Sequence, residues 1–292
     1  MQLIIDVIRS FRPTQWIKNG IVLAGLIFSA KFTDPAMDLK AFAAFVGFCL
    51  LSSAVYLFND VQDVEFDRIH PKKAKRPIAS GKVSTQLALT LSVFLSIAGV
   101  IISFGINSKL GTVATGYLIL NIFYSKILKR IVIIDVMTIA IGFVFRAAAG
   151  AYAVDVSISA WLLICTILLA LFLGFTKRRY EVVLLDENAT QHRLILDQYS
   201  LPFMDQMISV VTASTLVIYT IYTVTFKNYH NGTDPKLEYT IPFVIYGIFR
   251  YLYIVYHKAE GGSPTESILT DRPLMINTIL WLLTVLILFY AV

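Results

Sequence analysis

The stretch of this chain best suited to chemistry reads Asn59-Asp60-Val61-Gln62-Asp63-Val64-Glu65-Phe66-Asp67. On a continuous helix, Asn59, Asp63 and Asp67 recur every four residues and share a face, with Asp60 beside it three residues before Asp63. Three carboxylates and an amide brought together repel one another unless a cation answers them. All-oxygen ligands favour Mg2+, which takes one or two carboxylates and completes its shell with phosphate oxygens and water. Asn59, Asp60, Asp63 and Asp67 are therefore the expected metal ligands, with Asp63 and Asp67 the expected catalytic carboxylates. A solvated acidic helix end is the bland alternative. Against it stands the basic run that follows, His70-Pro71-Lys72-Lys73-Ala74-Lys75-Arg76-Pro77. Its prolines break the helix and its cations fall on the same aqueous side as the carboxylates, so metal and phosphate can be held together. Lys72 and Arg76 are candidate substrate cations; Lys73 and Lys75 serve equally well as contacts to anionic lipid head groups.

The elements that position these residues cannot form a soluble domain. Of 292 residues, 57% are apolar and only 15% charged, whereas soluble domains carry about 25% charged residues. Sparsely charged stretches near the length of a membrane span run over 16–30, 41–58, 83–108, 110–125, 131–154, 156–176, 207–226, 239–256 and 273–292. The first and fourth are short. Ahead of them Leu3, Ile4, Val7, Ile8 and Phe11 recur at helical spacing, which predicts a short interfacial helix over about residues 2–12. A secretory leader is not expected there, because the charges come late and no small-residue cleavage site follows. With nine spans the loops alternate sides, and 18 lysines and arginines fall on the side of the N-terminus against five opposite. Cytoplasmic loops are enriched in these residues. The expectation is thus an all-α, multi-pass protein of the cell inner (plasma) membrane, a single domain over 1–292, with the N-terminus and the acidic motif cytoplasmic. The net charge of +6 is dispersed between apolar runs and forms no continuous basic face for nucleic acid. Cys49 and Cys165 lie in separate apolar runs, which argues against a disulfide or a zinc site.

Other residues point to a polar interior. Arg146 sits mid-span, where a cation is costly unless it faces an internal site or an acidic partner on a neighbouring helix. Lys126, Tyr124 and Asp135 lie at span ends, where they suit either site walls or helix-end anchors. Arg250 is near enough to its span's end to snorkel. Lys177-Arg178-Arg179-Tyr180-Glu181 combines cations with one carboxylate. Such a cluster can hold a phosphate directly, Arg as a fork and Lys as a point charge, while the carboxylate accepts hydrogen bonds from sugar hydroxyls. The segment 177–206 mixes apolar and polar positions and predicts a cytoplasmic cap whose helical turns shield a reactive centre from water. Phosphate-loop, HExxH, nucleophile-elbow and internal-repeat patterns are absent.

Residues 59–67 match the NDxxDxxxD motif of the UbiA superfamily of intramembrane prenyltransferases, and Arg76-Pro77-Ile78-Ala79-Ser80-Gly81 matches that family's next segment. The resemblance implies nine helices around a central cavity open to the cytoplasmic side, with Mg2+ as cofactor. Ordinary members carry a second acidic motif, DxxxD, after span six; this chain has the Lys177–Glu181 cluster there. Asp34 and Asp38 have that spacing but lie on the opposite side of the membrane. Together with Arg12-Pro13-Thr14-Gln15-Trp16-Ile17-Lys18-Asn19, Gly142-Phe143-Val144-Phe145-Arg146 and Gly261-Gly262-Ser263-Pro264-Thr265-Glu266, this departure resembles the polyprenyl-phosphate phosphoribosyltransferase branch of the superfamily. That likeness implies transfer of 5-phosphoribose from phosphoribosyl diphosphate to a polyprenyl, decaprenyl-like phosphate, with diphosphate released. The substrate-binding residues would be Lys72, Arg76, Lys126, Arg146, Lys177, Arg178, Arg179 and Glu181, and membrane lipid the surrounding partner. An aromatic prenyltransferase of quinone, haem or chlorophyll synthesis would instead require the missing second acidic motif. A transporter or lipid translocator would require broken helices and a repeat between halves.

Overall fold

The structure, a computed structural model, describes residues 2–28, 34–70, 73–185, 198–226, 236–257 and 264–290. Those residues form helices and no strand. A short helix α1 (Gln2–Ser10) leads into a 3-10 helix (Pro13–Leu23) and α2 (Ala24–Phe28); α3 (Pro35–Gln62), α4 (Val64–Ile69), α5 (Thr85–Ile106) and α6 (Ser108–Lys126) follow. The second half holds α7 (Ile134–Ala153), α8 (Ala160–Leu185), α9 (Leu201–Thr225), α10 (Ile241–His257), α11 (Pro264–Thr270) and α12 (Arg272–Tyr290). The long helices start where the local chemistry allows. Asp34 caps α3 by accepting from Ala36 N at 2.9 Å with Pro35 as the first helical residue, and Asn107 caps α6 through Leu110 N at 2.8 Å.

Among the described residues, seven helices are long and apolar enough to cross a membrane. Their outward faces carry Phe94, Ile97 and Ile101 on α5, Val210, Val217 and Val224 on α9, and Ile276, Ile279 and Leu283 on α12, all exposed. Apolar surface on this scale is covered by lipid in a multi-pass membrane protein rather than by water. Nine spans are expected from the sequence, and the two that fall outside the seven are both helical but atypical. The stretch 16–30 is split between the 3-10 helix and α2, and 29–33 lie outside the described residues. The other, α6, carries Thr112, Thr115, Asn121 and Ser125 along its length, and the last two face the internal cavity. The expected cap over 177–206 also divides differently. Residues up to Leu185 continue α8, residues from Leu201 open α9, and 186–197 lie outside the described residues.

Helix α1 behaves as an amphipathic surface helix. Val7, with Phe11 just beyond the helix, packs on Ala54, Leu57 and Val83, while Leu3, Ile4, Ile5 and Ile8 are exposed on the other side. The interior is organised around α7, which contributes to two clusters of buried residues. One gathers Val22, Phe48, Leu51, Leu110 and Tyr117 with Ala149; the other gathers Val136 with Phe172, Met204, Ile208 and Ile254. In lipid, helices associate by close packing and small interface residues, and α7 presents Ala147, Ala149, Gly150, Ala151 and Ala153, all buried.

The 3-10 helix exploits that groove. With three residues per turn, Trp16, Asn19 and Val22 stack on one face; Asn19 and Val22 are fully buried and Trp16 Nε1 donates to Ser53 Oγ at 3.0 Å. Contact with α7 is backbone to backbone. A Cβ placed on Gly150 would lie 1.9 Å from the Val22 carbonyl oxygen, and one on Gly25 would lie 2.7 Å from Ala151 N. Gly150→Ala is therefore expected to force the 3-10 helix off α7 and to cost about 1–3 kcal/mol, the usual penalty of overpacking. Thermal unfolding of the purified protein in detergent, read by size-exclusion profile after heating, checks this; Gly105→Ala, at a position with open space around it, is the control expected to leave that profile unchanged.

Candidate active site

The acidic motif straddles a helix break. Asp63, with φ −99° and ψ 7°, ends α3 and precedes α4. The hydrogen bonds from Asp63 N to Asn59 O at 3.0 Å and from Asp67 N to Asp63 O at 2.8 Å nevertheless carry the four-residue register across it. Asn59, Asp63 and Asp67 accordingly line one internal cavity of about 560 Å3, and Asp60 does not. Each carboxylate has a cation. Arg12 Nη2 donates to Asp60 at 2.5 Å; Arg76 Nη1 reaches Asp60 at 3.1 Å and Asp67 at 2.5 Å; the Lys129 ammonium pairs with Asp63. Asp60 is 3% exposed and serves as the anchor that ties the 3-10 helix and the turn at Arg76 to the end of α3. Burial pushes the Asp67 carboxyl above its ordinary range, with Arg76 and Lys73 drawing it back.

No cluster of three or more His, Cys, Asp and Glu side chains is placed to hold a metal among the described residues. The oxygen atoms still suit a hard cation. Asn59 Oδ1 is buried with no hydrogen-bond partner among the described residues, an acceptor open to a cation. Beside it, the Asp63 and Asp67 carboxylates face the same space with protein cations as their present counter-charges.

The opposite wall is built by α8. Lys177, Arg178 and Glu181 line the cavity. Arg178 is almost fully buried; its Nε donates to Asp135 at 2.7 Å, its Nη1 to Glu181 at 2.5 Å and its Nη2 to the Tyr124 hydroxyl at 3.4 Å. Asp135, in the first turn of α7, also accepts from the Tyr199 hydroxyl at 2.7 Å, and that hydroxyl accepts from Ile133 N at 2.7 Å. Ile133 has φ +69°, a conformation that a β-branched residue adopts only under constraint, and the Tyr199 bond supplies one. Burial, aided by the bond to Asp135, pushes the Tyr199 phenol up, so it stays a neutral donor. Lys177 is more exposed, 43% in its side chain, with Glu181 3.9 Å away.

Arg179 and Lys126 are not brought to this cavity. Alternate residues on a helix point in different directions, and Arg179 instead pairs with Asp205 at 2.5 Å and lies 4.1 Å above the Tyr256 ring. Lys126 is exposed at the end of α6, and Lys72 lies outside the described residues. Arg146 does face the cavity and is 7% exposed. No acidic partner on a neighbouring helix answers it among the described residues. Its Nε donates to Asn19 Oδ1 at 2.8 Å, Nη1 to Gly142 O at 3.0 Å and Nη2 to the Tyr117 hydroxyl at 2.8 Å. Arg250 forms a two-pronged pair with Asp271 away from the site.

Four residues escaped the sequence reading of the site. Lys129 was read only as a topology charge, and Arg12 and Lys18 as topology charges and members of one segment, although all three line the cavity. Tyr199 carried no signal at all. A lysine four residues after Ser125 and eight after Asn121, on a helix face already polar, is the pattern that marks Lys129 in retrospect.

Known proteins resemble this chain in sequence and in fold. The UbiA prenyltransferase family model matches residues 20–182. The decaprenyl-phosphate phosphoribosyltransferase of Mycolicibacterium smegmatis is 31% identical over 97% of this chain and 92% of its own length, and that of Corynebacterium glutamicum is 30% identical over 97% and 86%. The structure of a UbiA homologue from Archaeoglobus fulgidus bound to GPP and Mg2+ superposes with a TM-score of 0.75 at 16% identity, covering 97% of this chain and 99% of that one. A family match over more than half of the residues, and relatives of this identity along nearly the whole length, establish that the chain belongs to the UbiA prenyltransferase family.

Proposed function

We propose that the protein transfers 5-phosphoribose from phosphoribosyl diphosphate to a polyprenyl phosphate and releases diphosphate. The observation that carries this reading is the wall opposite the acidic motif. Where a second diphosphate-bound metal would need carboxylates, α8 offers Lys177, Arg178 and Glu181. The phosphoribosyltransferase names of the full-length relatives support the same reading. An aromatic prenyltransferase would need acidic residues there, and an isoprenoid diphosphate would find cations with a single carboxylate already paired to Arg178.

In this reading an oxygen of the lipid phosphate attacks C1 of the ribose, the bond from C1 to diphosphate breaks, and diphosphate leaves with the electron pair. Mg2+ held by Asn59, Asp63 and Asp67 would neutralise charge gathering on that leaving group. Arg76 and Lys129 hold the carboxylates in place and stand beside the departing diphosphate as further positive charge. Lys177 and Arg178 take the 5-phosphate, and Glu181 the sugar hydroxyls. A phosphate monoester is ionised near neutral pH, so no protein nucleophile or strong base is required. The 3-10 helix with α2, and α6, complete nine spans, and the excess of lysine and arginine on the side of the acidic motif makes that side cytoplasmic. Asp60, buried between Arg12 and Arg76, supports the metal site from behind.

The test is radiolabelled phosphoribosyl diphosphate incubated with membranes containing the protein, Mg2+ and polyprenyl phosphate. Label is expected in the organic phase; diphosphate release that depends instead on an isoprenyl diphosphate and an aromatic acid would refute the reading. Asp63→Asn and Asp67→Asn are each expected to abolish most transfer while the protein still elutes as a folded species in detergent, and undiminished transfer at limiting Mg2+ would remove these carboxylates from the mechanism. Lys177→Ala is expected to weaken phosphoribosyl diphosphate by about 1.5–3 kcal/mol, the worth of a charge-assisted hydrogen bond, or roughly one to two decades in apparent affinity. Arg178→Ala should do the same and also lower stability, since it strands the fully buried Asp135; parallel binding and unfolding measurements separate the two variants.

A further inference from the structure

Around the cavity, most of the cations that are buried or half-buried have a carboxylate among the described residues. Arg12 and Arg76 share Asp60, Lys129 has Asp63, and Arg178 has Asp135 and Glu181. Arg146 and Lys18 depart from that pattern. Arg146 is held in place by neutral groups only, and the amide of Asn19 that orients it is itself fixed by Ser52 Oγ at 3.0 Å and Phe48 O at 3.3 Å. Such bonds fix a guanidinium without cancelling its charge. Lys18, also on the cavity wall, has no hydrogen bond and no ion pair within 4 Å among the described residues. Its ammonium shares the wall with the like charges of Arg146 and Arg12, and Glu266 attracts it only at longer range. Two like charges facing one cavity inside an apolar bundle are costly unless an anion enters between them.

The proposed reaction brings three anionic groups into the protein: the sugar 5-phosphate, the diphosphate and the lipid phosphate. Two already have stations, at Lys177 with Arg178 and at Asp63 with Asp67. We propose that Lys18 and Arg146 form the third, the seat of the acceptor lipid's phosphate. The inference rests on the phosphoribosyl-transfer reading. Its surroundings fit a head group carrying a hydrocarbon, since Ile17, Ile139, Phe143 and Leu173 line the same cavity. Arg146 offers a fork pre-set by Asn19 and Tyr117, and Lys18 a mobile point charge on the 3-10 helix. A phosphate monoester seated there presents its remaining oxygen toward the centre of the cavity, between the two walls that hold the ribose and its leaving group.

The experiment uses the full-length protein in detergent with farnesyl phosphate as the lipid probe, farnesol as the probe lacking phosphate, and phosphoribosyl diphosphate with Mg2+. Lys18→Met keeps the aliphatic stem and deletes only the charge, and no hydrogen bond is lost with it. Arg146→Gln deletes the second charge, and Arg146→Lys, which keeps it, covers the case in which Arg146→Gln does not fold. Lys18→Met and Arg146→Gln are each expected to weaken farnesyl phosphate binding at least about tenfold, with Arg146→Lys intermediate, while farnesol binding and phosphoribosyl diphosphate binding measured without lipid stay within about twofold. Unchanged farnesyl phosphate binding in Lys18→Met, or weakened phosphoribosyl diphosphate binding in any of the three, overturns the assignment. A parent protein that binds farnesyl phosphate through these cations yet transfers no phosphoribose would refute the proposed reaction and leave the phosphate seat standing.

Discussion

A charge taken out of water costs several kcal/mol unless another charge or a set of hydrogen bonds answers it, and this constraint organises the interior of the protein. The carboxylates of the α3–α4 junction cannot stand together uncompensated, so each recruits a cation from elsewhere in the chain: Arg12 from before the 3-10 helix, Arg76 from the turn after α4, Lys129 from the turn after α6. These bonds do more than neutralise. They fasten three separate segments to the end of α3 and so give the cavity mouth its shape. On the far wall Asp135 does the same for Arg178, and Tyr199 extends the chain of bonds to the start of α9.

Helix α7 is the element that makes both walls possible. Its small residues admit the 3-10 helix to backbone contact on one side, while Val136 and the first turn pack against α8 and α9 on the other. From that one helix Asp135 addresses the α8 wall, and Arg146, three turns later, lines the same cavity. A rigid helix keeps the two groups at a fixed separation, which is what two substrates meeting at one carbon require. The 3-10 conformation of Pro13–Leu23 contributes in a similar way. Three residues per turn put Asn19 and Val22 on the buried face and leave Ile17 and Lys18 on the cavity side, a division that 3.6 residues per turn would blur.

Much of this was legible in the residues themselves. The apolar runs predict a helical membrane protein, and the acidic motif at the end of one run marks a wall of the cavity, because both depend on local features: hydropathy over twenty residues and spacing over eight. Lys177, Arg178 and Glu181 were legible for the same reason, since helical spacing turns them toward one side. Arg179 was misread as a member of that group, because adjacency in sequence is not adjacency on a helix, and its guanidinium stacks on Tyr256 outside the cavity. Lys126 was chosen over Lys129, one turn away, because the spacing of Lys129 from Asn121 and Ser125 went unread.

The sequence by itself therefore determined the class of protein, the family, the location of the acidic motif and the basic character of the wall opposite it. Only the tertiary structure decided which cation answers which carboxylate, that Asp60 turns away from the cavity while Asn59 keeps a buried oxygen unpartnered among the described residues, and that Arg146 and Lys18 lack an ion-pair partner among those residues. The physical reason is range. Helix formation and membrane burial are read from neighbours in the chain, whereas ion pairs and hydrogen bonds in a low-dielectric interior join residues up to 127 positions apart, as Arg146 and Asn19 are, and are settled only when the helices have packed.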